Sequence, residues 1–153
     1  MIRRKSKNEV RIGDVYAVPL DPLNQRYGYV RMYHNPDIAI LGVTSGKQLL
    51  SLDEVKKYPS VTDAFSMRTA IEKGRWPLIG NIPFASEDEA WPGPRKQVFR
   101  LRPDVRKVVF KGRYISAEEF GQYDDLPEDK KLTDERLIEE INENSNLFKH
   151  IDT

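Results

Sequence analysis

The sequence predicts a mainly β domain of the α+β kind: a small antiparallel twisted sheet or partly open barrel with a C-terminal α-helix. Three observations carry this. Residues 14–43 hold three short runs of β-branched and aromatic residues, separated by Pro, Asn and Gly turn signals. Within the second run, Tyr27, Tyr29, Arg31 and Tyr33 alternate with Gly28, Val30 and Met32, a period of two. Near the end, Leu137, Ile138, Ile141 and Phe148 recur at helical spacing behind Thr133.

Taken in order, residues 1–11 read as a basic flexible arm, and residues 12–153 as one domain with a β body (12–115) and an acidic helical part (116–153). Val15 to Leu20 is a strand that ends at Pro19 and Asp21-Pro22, since proline cannot donate to a ladder. Tyr27 to Tyr33 and Ile38 to Val43 follow through short turns, which implies an antiparallel meander. Ser51 opens the capping box SLDE, and only a short helix fits before Pro59. Residues 61–72 read as a fourth strand, with Phe65, Met67, Thr69 and Ile71 on one parity; a helix stopped by Gly74 is the competing reading. GRWPLIGN (74–81) holds a short strand, and 83–96 is a proline-rich loop. Residues 98–102 and 105–110 read as two strands about the Pro103-Asp104 turn, which would put Arg100 and Arg102 on one face, opposite Phe99 and Leu101. Ser116 caps a short helix, and Thr133 begins the last helix, expected to run to residue 149 with His150 at its C-terminal end.

Composition narrows the chemistry. The chain has 153 residues, with seven Tyr, six Phe and two Trp to build a core. It has no cysteine, which excludes disulfides, thiolate metal sites and cysteine nucleophiles. Its only histidines, His34 and His150, argue against a multi-histidine zinc site. No run approaches the roughly 20 apolar residues of a membrane span. The basic start lacks the apolar stretch of a signal peptide, so a cytoplasmic location without membrane contact is expected. No phosphate loop, dinucleotide fingerprint or nucleophile elbow is present, and neither a cofactor nor catalysis is expected.

Charge is segregated. The net charge of +1 splits into +4 over residues 1–11, +5 over 12–115 and −8 over 116–153. Either the acidic part packs beside the basic body, or one of the two faces meets a charged partner. The basic peak is 95–113, where eight Lys and Arg oppose only Asp104. The pairs Asp124-Asp125 and Glu139-Glu140 mark the acidic part. Trp76, Tyr16 and Tyr29 read as structural, whereas Trp91, in the proline-stiffened EAWPGP loop, suits either core packing or an interface anchor.

Two segments together resemble a known group. IGDVYAVPLDPLNQRYGYVRMY (12–33) carries Gly13-Asp14, a strand ending in Pro19-Leu20, and Tyr27-Gly28-Tyr29-Val30-Arg31. IEKGRWPLIGNIPF (71–84) carries Gly74, Trp76, Pro77, Ile79, Gly80 and Pro83. In this order, with YDDLPE (123–128) before a last helix, the chain resembles the immunity protein 26 family of bacterial polymorphic toxin systems over about residues 10–140. The resemblance implies a non-enzymatic protector that binds a cognate toxin, in many cases a nuclease. On that reading Trp91 is the apolar anchor, and Asp124, Asp125, Glu139 and Glu140 are the charge complements. GDVYAVPLDP (13–22) is also similar to the first strand of MazF/PemK ribonuclease toxins, but the Arg-Pro pair that leads their next strand is missing here, so their catalytic residues do not carry over. A nucleic-acid-binding small β-barrel, using Arg100, Arg102, Arg106 and Lys111, is the alternative.

Overall fold

The strand β1 (Asp14–Pro19) is buried along almost its whole length and lies in the middle of a sheet. The structure is a computed structural model that describes residues 9–153; of the expected basic arm, residues 1–8 lie outside the described residues. β1 pairs antiparallel with β2 (Tyr27–Met32), and β2 with β3 (Asp37–Ser45), which gives the expected meander. β4 (Ser60–Ser66) pairs with β3, β5 (Leu78–Asn81) with the other edge of β1, and β9 (Lys131–Leu132) with β4. The order of this seven-stranded sheet is β5-β1-β2-β3-β4-β9, with β10 (Lys149–Ile151) parallel to β3. β3 is long enough for two partners on one edge: β4 pairs along Asp37–Leu41, and β10 along Val43–Ser45. A separate antiparallel sheet holds β6 (Arg95–Val98), β7 (Arg106–Phe110) and β8 (Arg113–Ser116). The sheets do not close into a barrel, and the mainly β class stands.

Alternation divides the core. Tyr16, Val18, Val30, Met32, Ile38 and Ile40 face one side, where they meet α2 (Thr69–Glu72), Trp76 and α4 (Asp134–Glu143) through Ile71, Leu137 and Ile141. Val15, Ala17, Tyr29, Leu41 and Val43 face the other, covered by Leu50 and by α1 (Leu52–Val55). The Tyr29 hydroxyl is 2.7 Å from Ser45 Oγ and accepts from Leu50 N, so this buried phenol is satisfied. The caps at Ser51, Ser116 and Thr133 form as expected, each hydroxyl accepting the backbone N–H three residues on. Removing one by Thr133→Ala is expected to lower stability by about 1 kcal/mol, read as a shift of the urea midpoint at constant slope.

Four elements differ from the sequence expectation. Residues 61–72 contain both readings: the strand runs to Ser66, and α2 starts after Arg68, whose left-handed backbone (φ 57°) turns the chain. The strand expected at 98–102 is instead β6 at 95–98, and residues 99–105 are its loop to β7. Arg100 and Arg102 therefore do not share a strand face opposite Phe99 and Leu101; Phe99 is exposed, and Leu101 is 95% exposed. β8 is an additional strand, joined to β7 by Lys111 (φ 50°) and Gly112 (φ 73°); two successive positive φ values are what a two-residue hairpin turn with right-handed twist needs. Finally, the last helix stops at Glu143, and a 3-10 turn (Ser145–Leu147) leads into β10. Asn144 leaves helical geometry, and the free edge of β3 captures the chain. His150 therefore sits on a strand, with Nδ1 2.9 Å from Thr44 Oγ1, and not at a helix end.

Candidate functional site

An open concavity of ≈ 600 Å³ lies between β7, the short helix α3 (Ala117–Phe120) and the loop that follows it. Local sequence explains its shape. Ser116 starts α3, and Gly121 ends it in the left-handed conformation (φ 86°), which glycine adopts without strain. The loop is then stitched to β6: Lys96 N donates to Pro127 O (2.8 Å), Asp129 N to Lys96 O (2.8 Å), and the Tyr123 hydroxyl to Gln97 O (3.2 Å). On this support the Arg106 guanidinium lies 4.7 Å from the Tyr123 ring centroid and donates to Asp124 Oδ1 at 3.3 Å. Asp125 and Glu118 line the same concavity. Among the described residues, Glu118, Glu119, Asp125 and Glu128 have no cation within ion-pair distance and are exposed. The surface is thus an unneutralised acidic rim around a partly aromatic hollow, suited to receiving lysine or arginine side chains. Among the described residues no three His, Asp or Glu side chains are placed to hold a metal ion.

The other residues singled out in the sequence scatter around this surface. Asp124 lines the hollow but already holds Arg106. Glu139 pairs with Arg136 on α4. Glu140 pairs with Lys130 at 2.6 Å, and its side chain is only 15% exposed. Trp91 is half-buried: its ring stacks on His34 with centroids 4.0 Å apart, and its far edge lies against Gly112. It therefore joins the β7–β8 hairpin to the segment after β2.

Half of the basic stretch is ion-paired within the chain: Arg95, Arg102, Arg106 and Lys111 have carboxylate partners, whereas Lys96, Arg100, Lys107 and Arg113 have none among the described residues. Arg102 pairs with Asp104 (3.3 Å), Arg106 with Asp124, and Lys111 with Asp88 at 2.5 Å. That last hydrogen bond holds the Asp88 carboxyl below its ordinary value. Arg100, in the β6–β7 loop, has no such partner among the described residues.

The member of the stretch that matters most, Arg95, is indistinguishable from its neighbours in sequence. Arg95 is buried, its side chain 3% exposed, and it contacts three carboxylates: Asp37 at 2.7 Å, Asp129 at 3.0 Å and Asp63 at 3.4 Å. Burial works against its charge, but the surrounding carboxylates outweigh that and raise its pKa. Burial also pushes the Asp63 and Asp129 carboxyls up, and Arg95 offsets this only in part. Asp37 is on β3, Asp63 on β4 and Arg95 on β6, so the cluster ties the two sheets together and holds the acidic loop through Asp129. Arg68 supports it from below, its Nη2 donating to Tyr33 O (3.0 Å) and Asp37 O (2.6 Å).

The site is thus an open acidic hollow on a β scaffold, of the kind that offers carboxylates to another molecule, and among the described residues it holds no metal-ligand cluster. The sequence profile of the immunity protein 26 family matches residues 11–105, and the chain belongs to that family of immunity proteins. The matched stretch covers β1 to β6 and the β6–β7 loop; the acidic hollow at α3 lies beyond it. Comparison with curated proteins gave no match, and neither did comparison with solved structures. No helix among the described residues is long and apolar enough to cross a membrane.

Proposed function

We propose that this protein binds a cognate bacterial toxin in the cytoplasm and neutralises it without catalysis, by covering a basic surface with which the toxin, a nuclease, holds nucleic acid. The observation that carries this reading is the set of carboxylates without an ion-pair partner among the described residues, Glu118 and Asp125 lining the α3 hollow and Glu119 and Glu128 exposed on α3 and the loop after it, in a domain from an immunity family. Carboxylates spaced over a rigid surface resemble a phosphate backbone to a basic protein, and they accelerate its approach. Asp125 is the contact residue best placed to take a lysine or arginine. Asp124, Glu139 and Glu140 add to the field while keeping their own cations. Trp91, stacked on His34, contributes its exposed edge.

The reading is tested by recovering the tagged chain from its source cells, with nuclease treatment and washing at moderate salt. One stoichiometric protein partner encoded beside its own gene is the expected result. Nucleic acid retained in the absence of nuclease, with no protein partner, would overturn it.

A further inference from the structure

A second concavity, open to solvent and ≈ 440 Å³ in volume, lies where the end of β1 meets α4. Its walls are apolar: Pro19, Leu20, Pro22, Trp76 and Ile138. Its rim is acidic, with Asp21, Glu135 and Glu139, and among the described residues no Lys or Arg lines it. Glu139 holds Arg136, whereas Glu135 has no cation partner among the described residues. Leu23, 77% exposed in the same turn as Pro22, continues the apolar surface outward.

The groove is rigid before anything binds. Asn142 Nδ2 on α4 donates to Leu20 O (3.1 Å), and Arg26 Nη1 donates to Asn142 Oδ1 (3.2 Å), which fastens one wall to the other. Gln25 N donates to Asp21 Oδ1 (2.8 Å) and sets the turn. Trp76 is 6% exposed, so the floor is the surface of the core itself. A preformed apolar pocket ringed by less critical contacts is the form that binding hot spots take, because little ordering is needed on association. Its volume lies in the range of side-chain and small-ligand sites, about 300–1,000 Å³. The three carboxylates disfavour an anionic membrane or a nucleic acid and favour a positively charged surface.

We infer that this groove receives an apolar side chain of the toxin flanked by Lys or Arg, and that it supplies the apolar anchor which the acidic hollow at α3 lacks. The inference rests on the immunity reading above.

The test uses the full chain and the toxin domain encoded beside its gene, with affinities read by calorimetry. Ile138→Asp is expected to weaken binding about tenfold or more, chiefly through faster dissociation, and Glu135→Lys, a fully surface change, at least about threefold. Because Ile138 also touches the core, Glu135→Lys and Leu23→Asp keep the test independent of folding. Binding by the unmodified chain that all three variants leave within about twofold would overturn the groove and leave the immunity reading standing. No binding by the unmodified chain would overturn both. Two further results would reassign the groove: a dimer of this chain that Ile138→Asp splits, or a change in Trp76 fluorescence, read in a Trp91→Phe chain, on deleting residues 1–8.

Discussion

Replacing Arg95 by methionine is expected to lower stability by about 3–5 kcal/mol, a large share of the roughly 5–15 kcal/mol that holds a domain of this size together. The substitution removes the only cation within ion-pair distance of the buried Asp37 and Asp129 carboxylates among the described residues, and with it the tie between β3, β4 and β6. Chemical denaturation with far-ultraviolet circular dichroism measures it. The partner change has the opposite sign. Asp63 is the most exposed of the three acids and the most distant from Arg95, at 3.4 Å, so Asp63→Asn is expected to leave stability at neutral pH unchanged or raised.

The pH dependence follows from the same cluster. The Asp63 and Asp129 carboxyls have pKa values above the ordinary 3.8, so between that value and their raised ones the folded chain holds protons that the unfolded chain has released. By linkage these groups stabilise the fold as pH falls through that window and withdraw that stability as pH rises. Urea midpoints followed down towards about pH 4 should therefore decline less for the native chain than for Asp63→Asn, which removes one of the two protons. Identical pH profiles for the two chains would show that Asp63 does not titrate above its ordinary value.

Neutralising the acidic rim, by Glu118→Gln, Glu119→Gln, Asp125→Asn and Glu128→Gln together, is expected to slow association with the toxin by about tenfold or more and to flatten its dependence on salt. All four side chains are exposed, and none caps a helix through its carboxylate, so the melting temperature should hardly move. The dissociation rate should change much less than the association rate, because steering acts over a Debye length of about 8–10 Å rather than at contact. An unchanged association rate would mean that the toxin docks elsewhere on the molecule.

The contrast between these two sites explains what could be read from the chain alone. β1 and β3, buried along both faces, were legible as short β-branched runs bounded by turn signals, and β2 by the period of two that Tyr27 to Tyr33 display. The hinge between β4 and α2 was half legible: the strand pattern of Phe65 and the Gly74 stop were both genuine signals, and each governed one part of the segment. β10 was hidden because Phe148 falls at helical spacing from Ile141 and extends the stripe of α4 past its end at Glu143. What breaks the helix there is tertiary, the unfilled edge of β3. Arg95 looked like one of eight cations in a basic run. It becomes different only when Asp37, 58 residues away in sequence, is brought to 2.7 Å. The acidity of 116–153 was plain in the composition, yet the composition could not tell Asp125, which has no ion-pair partner among the described residues, from Glu140, which Lys130 holds. Pairing across the fold decides which charges remain for a partner.

Neutralisation of a toxin by binding is read out by a titration of nuclease activity. The purified toxin domain encoded beside the gene is assayed on nucleic acid while this chain is added. Activity is expected to fall linearly and vanish near one equivalent, with the chain recovered unmodified. Full activity in the presence of a large excess, under salt conditions where the toxin is folded and active, would contradict it.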